Sequence, residues 1–200
     1  MTNTHVTIKP SVLYFGTPVV LLSTENADGT MNLAPMSSAW ALGDVFVLGL
    51  GPGSHTARNL QERPELVINF PAPEQWEAVD ALGRLTGADP VPSTKRPGTR
   101  YEPDKFGAVG FTQRESEVVR PPRVAECPAH IEARAVRVSP DLTGRFTVAE
   151  ASVLRVHADE RIVIDGTSHI DTGRWSPLIY NFRHYFGLDR RLGKAAHAEY

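Results

Sequence analysis

The sequence has little cysteine, no long apolar run and no excess of positive charge, and each absence excludes a class of protein. Its single cysteine, Cys127, rules out an intrachain disulfide and fits a reducing compartment, which we expect to be the cytoplasm. No run approaches the roughly 20 apolar residues that span a bilayer, and residues 1–10 lack the basic and apolar regions of a secretory leader. With 21 Lys and Arg against 23 Asp and Glu, we expect neither a membrane nor a nucleic acid as partner.

The composition that remains is that of a globular protein. The chain has 200 residues, of which 41% are hydrophobic and 22% are charged. No linker, repeat or change of composition divides it, so we expect one domain over residues 1–200 with a core at about 11–190. Many short strands and few helices favour a β-barrel over a helical fold.

The first quarter of the chain predicts three strands. Residues 17–23 are β-branched and leucine-rich, which is typical of a strand buried on both faces. Residues 26–29 have turn composition, residues 30–38 are expected to return antiparallel to the first strand, and residues 44–50 predict a third strand. We therefore expect a β-meander.

Helices and further strands follow. Ser54 is a good N-cap for a short helix over residues 55–63, and residues 66–70 predict a buried strand. Residues 73–85 place apolar side chains at three-residue spacing and predict an amphipathic helix. Residues 88–105 are rich in Pro, Gly and charge, and such long loops are commonly lids or binding loops.

Three late strands are predicted over residues 129–138, 146–156 and 161–165. In the first of these, small or apolar residues alternate with polar ones, which would put His130 on a polar face. A second histidine, His184, lies in an aromatic segment near the C-terminus. A structural role is the stronger interpretation for both histidines. The alternative is that either one contacts a nicotinamide or a substrate.

Two small, hydroxyl-rich segments flank the third strand. Residues 29–40 contain compact residues and a proline, which let the backbone lie close to a flat ring. Residues 51–60 place hydroxyls and free amides at the predicted start of a helix, where anions bind. Together they suit a phosphorylated aromatic cofactor.

The order of these segments carries a family resemblance. Residues 32–38 (Asn-Leu-Ala-Pro-Met-Ser-Ser), the apolar strand and residues 56–60 (Thr-Ala-Arg-Asn-Leu) resemble the flavin reductase family, whose fold is the FMN-binding split β-barrel. Further segments similar to a bacterial subgroup of that family are 88–92, 101–107, 121–128 and 175–179. The resemblance implies a homodimer with FMN, or occasionally FAD, in a groove near the subunit interface.

The candidate cofactor-binding residues fall into two groups. The phosphate needs amide and hydroxyl donors, and for it we select Ser54, His55 and Thr56. Either Arg58 or a protonated His55 would add charge-assisted contacts, unless Arg58 faces solvent. The ring needs close approach of the main chain and further hydroxyl donors, and for it we select Ala34, Pro35, Met36, Ser37 and Ser38.

The resemblance adds three more cofactor-binding residues. It implies that Leu50 and Gly51 line the groove, and that Asn59 steadies the loop or reaches the phosphate. Ser54 by itself is equally well explained as an N-cap, and both roles can coexist. The glycines at residues 49–53 lack the spacing and the βαβ context of a dinucleotide-binding motif.

No metal site and no acid–base or nucleophilic residue is predicted. No histidine or cysteine pair has zinc-ligand spacing, and residues 165–171 have ordinary loop composition. Cys127 lies beside Glu126 without the positive neighbours that activate a thiol. The catalytic residues therefore stay unassigned.

Three functions are compatible with such a site. The first is an NAD(P)H:flavin reductase that transfers a hydride to flavin N5, as a homodimer and as the reductase partner of a two-component monooxygenase. The second is a non-catalytic FMN-binding electron carrier. The third is a specialised flavoenzyme that uses bound FMN on a dedicated small molecule.

Overall fold

The computed structural model describes residues 4–196. The predicted domain over residues 1–200 therefore has its first three and last four residues outside the described range, and so does the start of the segment 1–10. Within that range the chain is mainly β, with two α-helices, α1 (His55–Glu62) and α2 (Trp76–Leu82). Neither helix is long and apolar enough to cross a bilayer. The strands are β1 Phe15–Pro18, β2 Val20–Glu25, β3 Met31–Met36, β4 Ala39–Leu42, β5 Val45–Leu50, β6 Glu65–Phe70, β7 Leu85–Thr86, β8 Arg100–Tyr101, β9 Gln113–Arg114, β10 Arg123–Val124, β11 Ala129–Pro140, β12 Thr147–Ala158, β13 Ile179–Asn181 and β14 His184–Phe186.

One large sheet organises the fold. Its strand order is β3-β2-β6-β11-β12-β5-β4, and every neighbouring pair is antiparallel. The two outer strands, β3 and β4, are joined by only Ser37 and Ser38, so the two edges of the sheet must lie side by side. The N–H of Gly49 donates to the carbonyl of Ser38 at 2.8 Å at this corner. The sheet therefore curls into a barrel, as the composition predicts.

The expected β-meander is wrong. Strands β2 and β3 do pair antiparallel, and the turn at residues 26–29 is closed by hydrogen bonds between Asn26 and Thr30. The predicted third strand, β5, instead lies at the opposite end of the strand order, next to β12 and to β4, which the sequence did not predict. In a meander β5 would pair with β3. Instead the chain turns at Ser37 and Ser38 into β4, and β5 pairs with β4 and β12.

The core has two parts, one on each face of β2. Val20 and Leu22 point into the barrel, where they pack with Leu48 and with Leu60 of α1. Val19 and Leu21 face an outer cluster that includes Leu82 of α2. The prediction of a strand buried on both faces is confirmed, because each face of β2 has its own apolar partner.

Other predicted elements are confirmed with changed ends. The helix predicted over residues 73–85 is a 3₁₀ turn (Pro73–Gln75) followed by the short α2, because the chain turns at Gly83 into β7.

The strand predicted over residues 161–165 is wrong. That segment is a 3₁₀ turn (Glu160–Ile162) capped by Asp159, followed by one isolated bridge.

The polar face predicted for β11 is also wrong. His130 and Glu132 are buried, with 5% and 0% exposure, because residues 115–124 cover them. His130 Nε2 donates to the carbonyl of Val124 at 2.7 Å, and the backbone amides of Glu117 and Val118 donate to Glu132. Long-range cover, which the alternation in the sequence does not encode, decides the burial of this strand.

Candidate functional site

A pocket of about 380 Å³ opens where the barrel closes. Its walls come from the edge strand β3, the end of β5, the start of α1, the α2–β7 connection and the loop 88–105. These five parts of the chain thus meet at one opening. The pocket is a concave site with both apolar and polar lining, as small-molecule sites usually have.

The pocket collects ten of the eleven predicted cofactor-binding residues on one surface. These ten are Ala34, Pro35, Met36, Ser37, Ser38, Leu50, Gly51, Ser54, His55 and Thr56. The eleventh, Asn59, lies behind this surface and is described below. The two hydroxyl-rich segments of the sequence are therefore neighbours in space.

One end of the pocket is made of small residues and backbone. Because β3 is an outer strand, one edge of its backbone has no strand partner within that sheet. The Tyr14 hydroxyl lies 2.9 Å from Ser38 Oγ and adds an aromatic wall. Gly49 must lack a side chain here, since a Cβ would lie 3.0 Å from Ser38 Cβ. This end suits a flat ring that hydrogen-bonds to the main chain.

The other end is the N-terminus of α1. Ser54 caps the helix, its Oγ accepting the N–H of Ala57 at 3.4 Å. Thr56 is buried and accepts from Asn32 Nδ2 at 3.2 Å, which ties the helix to β3. The first amides of a helix have no intrahelical acceptor and attract anions. This end therefore suits a phosphate.

Asn59 does not line the pocket. It is 2% exposed, and its amide donates to Thr24 Oγ1 at 3.1 Å and to Asn26 Oδ1 at 2.9 Å. These bonds fasten α1 to the β2–β3 hairpin. The position favours the steadying role for Asn59 over a direct phosphate contact, because its donors are already used.

Three cations of the loop 88–105 also line the pocket, and the site prediction did not include them. They are Lys95, Arg96 and Lys105. Lys105 is only 3% exposed, and its Nζ donates to Asn32 Oδ1 at 3.1 Å. The composition of this loop predicted a lid or binding loop. Its lysines could have been added to the predicted phosphate-binding residues on that basis, because a phosphate needs positive charge. The charged side chains face the pocket only because the loop folds back over the start of α1.

These cations have no counter-charge in the described part of the chain. None of the ion pairs within residues 4–196 includes Lys95 or Lys105. Burial lowers the pKa of Lys95, and burial followed by repulsion from Lys95 lowers the pKa of Lys105 to about 7. A buried ammonium without a carboxylate is costly. The arrangement is that of a site which receives its negative charge from a ligand.

His55 is expected to be neutral in the ligand-free protein, which disfavours the option of a protonated His55. Burial, together with Arg58, Lys105, Lys95 and Arg63, lowers its pKa to about 4. A neutral ring whose Nε2–H donates to Asn26 Oδ1 at 2.8 Å leaves Nδ1 as an acceptor, and this atom is buried without a partner. Arg58 is exposed and does not line the pocket, which fits its solvent-facing interpretation.

The remaining sequence candidates lie elsewhere. His130 is a buried structural histidine whose pKa burial lowers to about 4, and His184 is exposed on β14. Burial, helped by Glu126, raises the pKa of the Cys127 thiol, so it is not an activated nucleophile. Neither Trp40 nor Trp175 lines the pocket.

Comparison with known proteins agrees with this geometry. Residues 12–189 match the family described as "Flavin reductase like domain". The chain is 44% identical to the Uncharacterized protein YdfE of Bacillus subtilis (strain 168) over 194 residues, which is 96% of this chain and 93% of that protein. The curled, mainly β sheet with a pocket at its closing corner thus has the split-barrel fold.

Two solved structures share the fold. Flavoredoxin of Desulfovibrio vulgaris (Miyazaki F) superposes with a TM-score of 0.77 at 22% identity, covering 98% of this chain and 99% of that one. Nitrilotriacetate monooxygenase component B from Bacillus cereus gives 0.75 at 18% identity, covering 96% and 100%. This chain belongs to the flavin reductase-like domain family, and the predicted split-barrel fold is confirmed.

Proposed function

We propose that the pocket binds FMN, or the FMN half of FAD, and that the protein is an NAD(P)H:flavin oxidoreductase. The observation that carries the proposal is the meeting of an edge strand with a helix N-terminus, the buried Lys105 and the half-buried Lys95, neither of which has an ion-pair partner among the described residues. A flavin nucleotide has a flat ring at one end and a phosphate at the other. Few other ligands match both ends at once.

The phosphate end fits the group chemically. Ser54 offers a hydroxyl and the first turn of α1 offers amides. Lys95 and Lys105 supply the positive charge that balances a phosphate dianion, and a bound anion would raise their lowered pKa values. The network of Asn32, Thr56 and Lys105 holds these donors before any ligand arrives.

The ring end fits through its backbone. Residues 34–38 place main-chain groups and two serine hydroxyls along one wall, where the edge of a pyrimidine-like ring needs donors and acceptors. Tyr14, held by Ser38, and Leu50 close the sides. When bound, the flavin supplies the chemistry, because its N5 accepts a hydride from NADH or NADPH.

The chain itself has three tasks in this reaction. The walls orient the two reactants, which converts a bimolecular encounter into a positioned one. The backbone dipoles and cations stabilise negative charge that develops on the ring. No acid–base pair is required, which agrees with the absence of a paired carboxylate or charged histidine among the described residues that line the pocket.

We include a homodimer in the proposal. Trp40 and Leu42 on the outer strand β4 are 57% and 76% exposed, and Phe15 and Phe186 of the small β1-β13-β14 sheet are 72% and 51% exposed. Of these, Phe186 lies in the aromatic segment near the C-terminus that contains His184. Size-exclusion chromatography with light scattering tests this part, and a flavin-bound monomer would contradict it.

A second candidate is an electron carrier that retains its flavin. Lys95 and Lys105 are compatible with it, because their charges would equally hold the phosphate of a retained flavin. The likeness to a flavoredoxin supports the carrier, and the likeness to a monooxygenase component B supports a reductase with a monooxygenase partner. Either way, the free thiol of Cys127 fits a reducing compartment such as the cytoplasm.

One anaerobic titration separates the candidates. Purified protein is supplied with FMN and then with NADH or NADPH, and the visible flavin absorption is followed. Bleaching far faster than a protein-free control, with turnover of excess FMN, is the expected result for the reductase. A bound flavin that stays oxidised would instead favour the carrier or an enzyme with a dedicated small-molecule substrate.

A further inference from the structure

A second, smaller hollow adjoins the flavin pocket. It measures about 250 Å³ and lies between the turn at residues 26–30 and the segment 101–105. The wall between the two hollows consists of side chains and one glycine that face both, namely Asn32, His55, Gly87 and Lys105. The second hollow is thus an annex to the first.

The wall stands at the phosphate end of the flavin pocket. Lys105 and His55 belong to the cationic cluster at the start of α1, and the ring end at residues 34–38 contributes nothing to the second hollow. A group attached to the flavin phosphate on the side away from the ring would therefore meet this annex. Gly87 packs closely against this wall, since a Cβ there would lie 2.9 Å from His55 Cδ2 and 3.0 Å from Asn32 Oδ1.

The lining of the annex matches a nucleoside. Tyr101 is 43% exposed on β8, so its ring offers a free face on which a base can stack. Two carboxylates, Asp28 and Glu102, face the same hollow. The amide and hydroxyl of Thr30 both donate to Oδ1 of Asp28, and the amide of Asp104 donates to Oε1 of Glu102. Each carboxylate thus keeps an oxygen for sugar hydroxyls, as acidic residues do toward a ribose in dinucleotide sites.

The wall also has donors and positive charge to spare for a second phosphate. The Lys105 ammonium has three donors and spends one on Asn32 Oδ1. Lys95 adds positive charge on the pocket side, and its effect on Lys105 shows that the two are close enough to interact. A pyrophosphate lying across the wall would meet the same cations as a single phosphate and would use them more fully.

We infer that the annex is an adenylate subsite, so that this protein prefers the dinucleotide flavin, FAD, over FMN. The inference rests on the proposed function, since the flavin pocket must hold the FMN half. In this arrangement Tyr101 stacks on the adenine, Asp28 and Glu102 accept from the ribose hydroxyls, and Lys105 bridges the two phosphates.

Calorimetric titration of the flavin-free protein with FMN and with FAD tests the inference directly. Wild type is expected to bind FAD about 10-fold more tightly than FMN, which is the low end of what one base stacked on an aromatic side chain contributes. Tyr101→Ala should remove this preference by weakening FAD about 10-fold while leaving FMN within about 2-fold. Tyr101→Phe keeps the ring and is the matched control that retains the preference.

The outcomes are distinct. Equal affinity of wild type for FMN and FAD, or an equal effect of Tyr101→Ala on both, would overturn the adenylate subsite and leave the proposed function standing. A Tyr101→Ala variant that binds FAD normally but binds NADH or NADPH more weakly would assign the annex to the adenylate of the nicotinamide donor and would also overturn it. Failure of both flavins to bind would overturn the proposed function and this inference with it.

Discussion

Two buried charges in this molecule are treated in opposite ways. Glu132, on β11, is 0% exposed and accepts the amides of Glu117 and Val118 at 2.9 and 2.6 Å, with His157 Nε2 at 2.7 Å. Lys105 is 3% exposed and has one hydrogen bond, to Asn32. The first charge is fully satisfied by the chain, and the second is not.

The difference separates a structural charge from a binding charge. Burial by itself would raise the pKa of Glu132, but its hydrogen bonds outweigh burial and hold that pKa below the ordinary value. At Lys105 nothing offsets burial, and the pKa falls to about 7. A group that the fold stabilises in its charged form belongs to the fold, whereas a charge that the fold leaves costly is a candidate for ligand binding.

The largest expected effect comes from removing the satisfied charge. Glu132→Ala removes the buried acceptor of two backbone amides and of the half-buried His157 imidazole, and we expect it to lower the free energy of unfolding by about 3–5 kcal/mol. Urea denaturation measures this loss. Glu150→Ala on the neighbouring β12 removes a surface carboxylate paired with Arg137 and should cost at most about 1 kcal/mol. Equal losses in the two variants would contradict the comparison.

The unsatisfied charge should behave in the reverse manner. Lys105→Met is expected to raise the free energy of unfolding of the flavin-free protein at neutral pH, because it removes a charge that the fold leaves costly, and to weaken FMN binding by about 1.5–3 kcal/mol, since a charge-assisted bond to phosphate is lost. Riboflavin, which lacks the phosphate, should bind both proteins equally. Arg58→Met is the control for overall charge, because Arg58 is exposed on α1. A matching loss of riboflavin affinity would place Lys105 at the ring.

The pH dependence of stability sharpens the same contrast. Lys105 has a folded pKa of about 7 against an ordinary value of 10.5, so between these values the unfolded chain binds more protons than the folded one. Its contribution to the stability of the flavin-free protein therefore rises with pH across this window, by up to about 1.4 kcal/mol per pH unit. Urea denaturation at about pH 7, 8 and 9 should show a steeper rise in the free energy of unfolding for wild type than for Lys105→Met. Parallel curves would mean that Lys105 is not the titrating group.

The smallest effect tests whether Ser54 does more than cap α1. Ser54→Ala should lower the free energy of unfolding by about 0.5–2 kcal/mol, whereas Ser54→Gly, which also suits an N-cap, should lower it by only a few tenths. Both variants lose the hydroxyl and should weaken FMN binding by about 1 kcal/mol. Calorimetric titration of FMN into each variant is the measurement. Unchanged affinity in Ser54→Gly would reduce Ser54 to a cap.

Local patterns predicted much of this fold and site. Strands β2, β3 and β6 and helix α1 follow from apolar runs, the turn at residues 26–29 and the Ser54 cap, all of which act within a few residues. The same short-range signals selected the small and hydroxyl residues that the structure gathers in the pocket. Their roles toward a cofactor stay predictions until a flavin is bound.

Sequence reasoning failed where distant segments decide. The alternation in β11 predicts an exposed Glu132, but residues 117–118 cover it and donate to it. Lys105 was passed over because a lysine in a charged loop is ordinarily solvated, and only the packing of that loop against Asn32 buries it. The position of β5 likewise depends on its pairing with β12, about a hundred residues later in the chain.

The sequence by itself determined where β2, β3, β5 and β6 lie, where α1 begins and which residue types are available for a phosphate and a ring, because propensity, capping and turn chemistry are local. Tertiary structure alone decided the order of the strands, the closing corner at Ser37 and Ser38, and which of two buried charges is satisfied. The physical reason is that hydrogen-bond partners and burial come from segments that meet only after the sheet curls.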